Sequence, residues 1–264
     1  MATTLFDYEK DLASGIHRSI APEMAKLTDG NDINALVDRV ATRIEAMIEH
    51  NWPRPPAAKL LACRAGCAFC CNQFEVQVSA LEALRVSNHV RTTFTPERRQ
   101  ALDRRVDEIE AKRAAVPLND RPFHTLPCPL LEDGHCSIYA VRPFICRSVT
   151  SFNVEVCKAH SEMTPAQVAE AHRLARKSRA PASIPEHGVI RAIARAAKKA
   201  FGRAAEAAPG KGGMLDLALA VQAALAVPDA AKHWIAGASL FDKALTRVGP
   251  QAVKKPIAPY RGAQ

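Results

Sequence analysis

Four cysteines crowd into nine residues, Cys63, Cys67, Cys70 and Cys71 in the run CRAGCAFCC, and four more follow at Cys128, Cys136, Cys146 and Cys157. Together they are all eight cysteines of the chain. A thiolate is a soft, charged ligand, and several at short spacing are what zinc or an iron–sulfur cluster requires. The first group reads C-x3-C-x2-C-C, and gaps this short let a loop wrap a metal while backbone amides point at sulfur. The second reads C-x7-C-x9-C-x10-C, with gaps that only tertiary structure can close. Eight thiolates suffice for two closed tetrahedral zinc sites and equally for two four-iron clusters. A mixed arrangement, or one cluster with spare cysteines, uses the same residues.

His135 precedes Cys136, and His160 lies three residues after Cys157. Either has the position to replace a thiolate, but in a chain with nine histidines a surface or hydrogen-bonding role is the simpler reading. Arg142 and Arg147 flank Cys146 and are the candidate cofactor-binding residues, as donors to cluster sulfur or holders of an anionic substrate. An Arg–carboxylate brace within the fold is the competing reading. No acid–base pair or nucleophilic triad stands out, and catalytic residues stay unassigned.

The elements that must position these residues read mainly as helices. Ile33, Leu36, Val37, Val40, Ile44, Met47 and Ile48 recur at helical spacing up to His50. Pro53, Pro55 and Pro56 then force an extended segment. The first cysteine group is too crowded for an amphipathic helix and reads as a loop. Ser79 and Glu82 form a capping-box signature opening a helix to about Arg91, and Thr95-Pro96 opens the next. That helix carries dense mixed charge, a solvated face over a thin stripe of Leu102, Val106 and Ile109. Residues 116–127, with three prolines, read as a linker. Asp133-Gly134 marks a tight turn between Leu130-Leu131 and Ile138-Tyr139. Further helices are predicted from the Thr164–Gln167 cap, over Gly188–Ala205, over Met214–Ala226 and over Pro228–Val248. Trp234 and Phe241 in the last read as core.

Apolar residues make up 48% of the 264-residue chain, enough to bury a core without a metal staple. No apolar run of membrane-spanning length occurs, and the N-terminus MATTLFDYEKDLASG has no signal-peptide core. The expectation is a cytoplasmic protein, where clustered cysteines are ligands rather than disulfides. The formal charge of +9 suits a negatively charged thiolate centre flanked by Arg64, Arg142 and Arg147. The basic stripe Arg191, Arg195, Lys198 and Lys199 has no interleaved aromatics for base stacking, so nucleic acid is an unlikely partner. The Gly210–Gly213 loop lacks P-loop spacing and reads as a linker. The fold class expected is mainly α, with helices clasping an irregular cysteine-rich metal-binding core and at most a short β-hairpin. The divisions expected are a helical segment 1–57, a cysteine-cluster region 58–160, a packed helical region 161–250 and a flexible tail 251–264.

Around the cysteines the sequence resembles the cysteine-cluster family of zinc- or iron-chelating proteins (YkgJ-type, C-x2-C-x2-C-C). The resemblance rests on CRAGCAFCC, Cys128-Pro129-Leu130, Asp133-Gly134, Cys136-Ser137-Ile138-Tyr139, Arg142-Pro143 through Cys146-Arg147, and SFNVEVC ending at Cys157, over residues 60–160. Three residues rather than two separate Cys63 from Cys67, a variant common in the family. The resemblance implies a metal centre held by all eight cysteines, with iron–sulfur favoured over zinc. Distant relatives, the flagellin lysine N-methylases, look like iron–sulfur enzymes using S-adenosylmethionine, which leaves a redox or methyl-transferring activity open. Cys63-x3-Cys67-Ala68-Phe69-Cys70 is also similar to the radical-SAM motif, although the strand–helix alternation of that β/α barrel is missing and Cys71 has the position to fill its open iron site. The alternative is a zinc-binding structural or interaction module without catalysis. The substrate, protein or small molecule, is unspecified, and so is the oligomeric state.

Overall fold

The computed structural model describes residues 4–51, 63, 66–72, 74–178, 188–210 and 212–245, with the backbone alone for 175–178. The predicted break at Pro53–Pro56, the residue Arg64 and the basic tail lie outside these residues. Ten α-helices are found among them, and the protein is mainly α.

The helical N-terminal stretch divides into α1 (Leu5–Met24) and α2 (Gly30–His50). Thr4 and Asp7 cap α1 reciprocally, and the Asp29 carboxylate accepts from the Asn31 and Asp32 amides to start α2. The caps read from sequence hold for α3 (Ala80–Thr93) and α4 (Pro96–Ala114), where Ser79 and Thr95 accept from the amides of Glu82 and Arg98. They hold again for α7 (Pro165–Ser178), where Thr164 and Gln167 exchange hydrogen bonds. Leu102, Val106 and Ile109 form the buried stripe of α4.

Two short helices, α5 (Phe144–Ser148) and α6 (Val154–Ser161), interrupt the expected irregular centre. The core is organised around α8 (Gly188–Ala207), which packs along α1 and against α5. Its buried face is built largely of alanine, including Ala194, Ala197, Ala200 and Ala204, with Phe201 reaching the Phe144 ring at 5.2 Å. The basic stripe of α8 is partly spent inside the molecule. Arg195 and Lys199 pair with Glu9 of α1, and Lys198 Nζ donates to Gln77 Oε1 at 3.1 Å.

Two sequence expectations are corrected. The helix placed over Met214–Ala226 is α9 (Leu217–Leu225), because Leu215 and Asp216 are extended and the Asp216 carboxylate caps from outside, accepting from Ala218 N and Leu219 N. The helix placed over Pro228–Val248 is the six-residue α10 (Ala230–Ile235), which ends at Gly237 with φ +101°. Trp234 and Phe241 are core residues as expected.

Among the described residues the strands are four, of two residues each. β1 (Gln77–Val78) pairs antiparallel with β4 (Leu215–Asp216), joining Gln77 to Asp216 and Val78 to Leu215. β2 (Leu131–Glu132) and β3 (His135–Cys136) form the hairpin expected around Asp133-Gly134. Both turn residues have positive φ, +50° and +75°, as a two-residue hairpin turn requires. The β1–β4 pair is an addition to the expected fold, since two residues carry no readable alternation.

Candidate metal centre

The first cysteine group makes its turn at Gly66, whose φ of +86° is a backbone conformation side-chain-bearing residues avoid. Phe69–Cys71 follows as a single 3₁₀ turn, closed by Cys71 N donating to Ala68 O at 2.9 Å. The chain is then stitched directly to the second group. Cys128 N donates to Cys71 O at 2.8 Å, and Asn72 bridges Pro127. Leu131 N donates to Cys128 O, and both the amide and the hydroxyl of Ser137 donate to Leu130 O, which fixes the hairpin between Cys128 and Cys136.

Cys146 rides on α5, a helix too short to hold itself in place. Its anchor is Glu82, a carboxylate only 2% exposed. Glu82 Oε1 accepts from Phe144 N at 2.9 Å, while Oε2 accepts from Ser79 N and Ser79 Oγ at 3.0 and 2.8 Å. One side chain therefore closes the capping box of α3 and also holds the first amide of the helix carrying Cys146. At the far end of the second group, Ser151 N donates to Cys63 Sγ at 3.1 Å. Asn153 then caps α6, which carries the buried Cys157 and packs against the 3₁₀ turn of the first group.

All eight cysteines are described, and none of them is in a disulfide. Burial pushes the Cys63 thiol up, against the Ser151 amide, and the neighbouring Cys70, Cys157 and Cys67 push it further. The Cys70 thiol is raised first by its hydrogen bond with Cys71 and then by burial, while Arg142 opposes. Burial lifts Cys128 to about 11, with Cys136 adding to the rise. Cys136 is raised by burial and by Cys70, and lowered by Arg142. Cys146 is pushed well up by burial, then by Cys128, Cys136 and Cys70. The Leu130 and Ile138 amides face the Cys128 and Cys136 sulfurs and pull the other way. These are thiols crowded in a low-dielectric place with amide dipoles aimed at them. A bound metal cation is what would turn such a set into thiolates.

The donor chemistry of the site thus fits a thiophilic metal. The thiols form a neighbourhood rather than a closed cage, since among the described residues no three Cys, His, Asp or Glu side chains converge as a finished metal site. The two stretches meet along the backbone, where Cys128 N donates to Cys71 O. His135 is exposed, its Nδ1 2.8 Å from Asp133 O, with its other ring nitrogen beside Gly66.

The two candidate arginines differ. Arg147 is committed: its guanidinium pairs with Glu45 of α2, and its Nε donates to Arg142 O at 3.1 Å. Arg142 stacks over the Tyr139 ring at 4.4 Å, and its buried Nε has no hydrogen-bond partner among the described residues. Three contributors were not singled out in the sequence. Glu82 carried only its local capping signal. Arg98 and Arg105, within the charged face of α4, both grip Glu132 of the hairpin, and Arg105 Nε donates to Pro129 O at 2.8 Å. No sequence signal distinguishes them from their solvated neighbours.

With this geometry in view, comparison with known proteins defines the class. Residues 62–173 match the family model CxxCxxCC, described as a "putative zinc- or iron-chelating domain". The matched stretch contains all eight cysteines, and the model is that of the family the cysteine motifs resemble. No curated protein and no solved structure matches the chain. Among the described residues no helix is long and apolar enough to cross a membrane.

Proposed function

We propose that this protein holds iron through its eight cysteines as iron–sulfur chemistry rather than as zinc, in a cytoplasmic setting that keeps the thiols reduced. The observation that carries the reading is the stitching of Cys71 to Cys128 and of Cys63 to Ser151, which brings half-buried cysteine-bearing stretches far apart in sequence beside one another. Arg142 supports it. A buried donor without a partner, placed where it acts on Cys70 and Cys136, suits a negatively charged sulfur centre and would raise its potential by hydrogen bonding. Arg147 serves in this reading as the brace that holds Arg142 through its carbonyl.

A bound cluster would supply electron transfer or Lewis acidity. The chain's own residues would supply ligation, burial and the Arg142 charge. Anaerobic purification should give brown protein with iron and acid-labile sulfide, and a paramagnetic signal on reduction. Colourless protein carrying stoichiometric zinc would overturn the iron reading in favour of a structural module. A methyl-transferring role further requires S-adenosylmethionine binding, and the absence of heat on calorimetric titration of the metal-loaded protein would exclude it.

A further inference from the structure

A cleft of about 250 Å³ opens where α2, α3 and α10 meet, and no residue of the cysteine-bearing stretches lines it. Drug-sized ligands occupy sites of ~300–1,000 Å³, so a cleft of this size suits a small metabolite. One wall is a face of α3, and the other is made by the first turns of α2 and α10. Those two turns pass close together, since a Cβ on Gly30 would meet the Ala231 Cβ at 3.4 Å. Four charged residues line the cleft, two of each sign: Arg91 from α3, Asp29 before α2, and Asp229 and Lys232 at the start of α10. None of the four is ion-paired with another described residue. Two of them have structural duties. Asp29 Oδ1 accepts from Asn31 N and Asp32 N to cap α2, and Arg91 Nη2 holds the end of α9 through three carbonyls. These duties leave Asp29 Oδ2 and Arg91 Nη1 and Nε without a partner among the described residues. Asp229 stands at the cap position of α10, yet its side chain makes no capping hydrogen bond. A single exposed charge is ordinarily solvated. Four around one cleft, balanced in sign and none neutralising another, match a ligand that carries both charges at once.

We propose that this cleft binds a small zwitterion of the free α-amino acid class. The carboxylate lies against Arg91 and Lys232, and the ammonium against Asp29 and Asp229. Arg91 suits its part because its hold on α9 fixes the guanidinium before any ligand arrives, which lowers the entropic cost of binding. The balance of charge turns away polyanions such as nucleotides, which would meet two carboxylates. The site is separate from the metal centre and stands whether that centre holds iron, zinc or neither.

The test titrates the full chain, as purified, with each of the common amino acids and follows the midpoint of thermal unfolding. Any that act are repeated as their N-acetyl and methyl-ester forms, and amide chemical shifts in the ¹⁵N-labelled protein locate the contact. At least one amino acid should raise the midpoint saturably. Blocking either charge should weaken binding about tenfold or more. The shifts should gather at Asn31, Asn88 and Lys232, which line the cleft. Asp229 and Lys232 are exposed, so Asp229→Asn and Lys232→Met should leave the ligand-free midpoint near wild type and each weaken binding about tenfold. Failure of every amino acid to bind overturns the proposal. So does a blocked form that binds as well as its parent, a set of shifts confined to the cysteine-bearing stretches, or variants that bind like wild type. Should a variant fail to fold, the wild-type shifts and the blocked forms still decide.

Discussion

Glu82 offers the sharpest test of how the fold positions a ligand. Its two carboxylate oxygens accept from three buried donors, Phe144 N, Ser79 N and Ser79 Oγ. Glu82→Ala strands both amides, while the Ser79 hydroxyl can rotate away. A stranded buried donor costs about 1–3 kcal/mol, so the two amides together cost about 2–6 kcal/mol, partly offset because a desolvated carboxylate is removed. A net loss of about 3 kcal/mol is expected, a large part of the ~5–15 kcal/mol that holds a typical domain together. Glu82→Gln keeps one oxygen and turns an NH2 toward the other donors, so its loss should be smaller, about 1–3 kcal/mol. Burial holds the Glu82 carboxyl above its ordinary value of 4.5, against the pull of Ser79, Phe144 and Lys198. Between the ordinary value and the raised one, the folded state holds a proton that the unfolded chain has released. Its contribution is full below the ordinary value and declines as pH rises through the folded one. The margin of wild type over Glu82→Gln should accordingly narrow with rising pH. Urea unfolding of the metal-free protein, followed by circular dichroism at several pH values, measures all three quantities, and the alkylation rate of Cys146 reports whether α5 has come loose. An alanine variant within about 0.5 kcal/mol of wild type, a margin that widens with pH, or unchanged Cys146 reactivity would refute the reasoning.

Four other substitutions probe separate parts of the molecule. A Cβ at Gly210 would collide with Trp234, both its carbonyl oxygen and its indole edge, so Gly210→Ala should cost about 1–3 kcal/mol through overpacking and lower the midpoint of thermal unfolding. Arg91 donates to the Ala224, Leu225 and Val227 carbonyls at the end of α9; Arg91→Ala should lose about 1.5–3 kcal/mol, and an unchanged urea midpoint would argue against this tie. Arg142→Met and Arg147→Met should separate function from scaffold. The first should shift the reduction potential or absorption of the metal-loaded protein with little effect on metal-free stability, whereas the second should lower stability by about 1 kcal/mol and leave the metal spectrum near wild type.

What the sequence disclosed was local. Ser79, Thr95 and Thr164 announce their helices because a cap involves residues three apart, and Asp133-Gly134 announces its hairpin because only such pairs accept two positive φ angles in succession. Residue type alone flagged the cysteines. What stayed hidden depends on packing. Nothing in the neighbourhood of Glu82 says that its second oxygen reaches Phe144, 62 positions onward. Lys198 reads as part of an exposed stripe until Gln77 and Glu82 are brought beside it. The helix predicted over Met214–Ala226 starts late because Leu215 pairs with Val78 and Leu245, which holds that stretch extended.

The place of α8 behind α5 has a bearing on biosynthesis. Every thiol leaves the ribosome before Gly188, yet the floor beneath the Cys146 helix and the partner of α1 are made only by residues 188–207. The helix bearing Cys146 therefore gains this packing only once residues 188–207 have been made. Nascent chains stalled before Gly188 should leave Cys146 reactive toward alkylation, whereas chains stalled well after Ala207 should protect it; equal reactivity in the two would show that closure does not wait for the C-terminal helices.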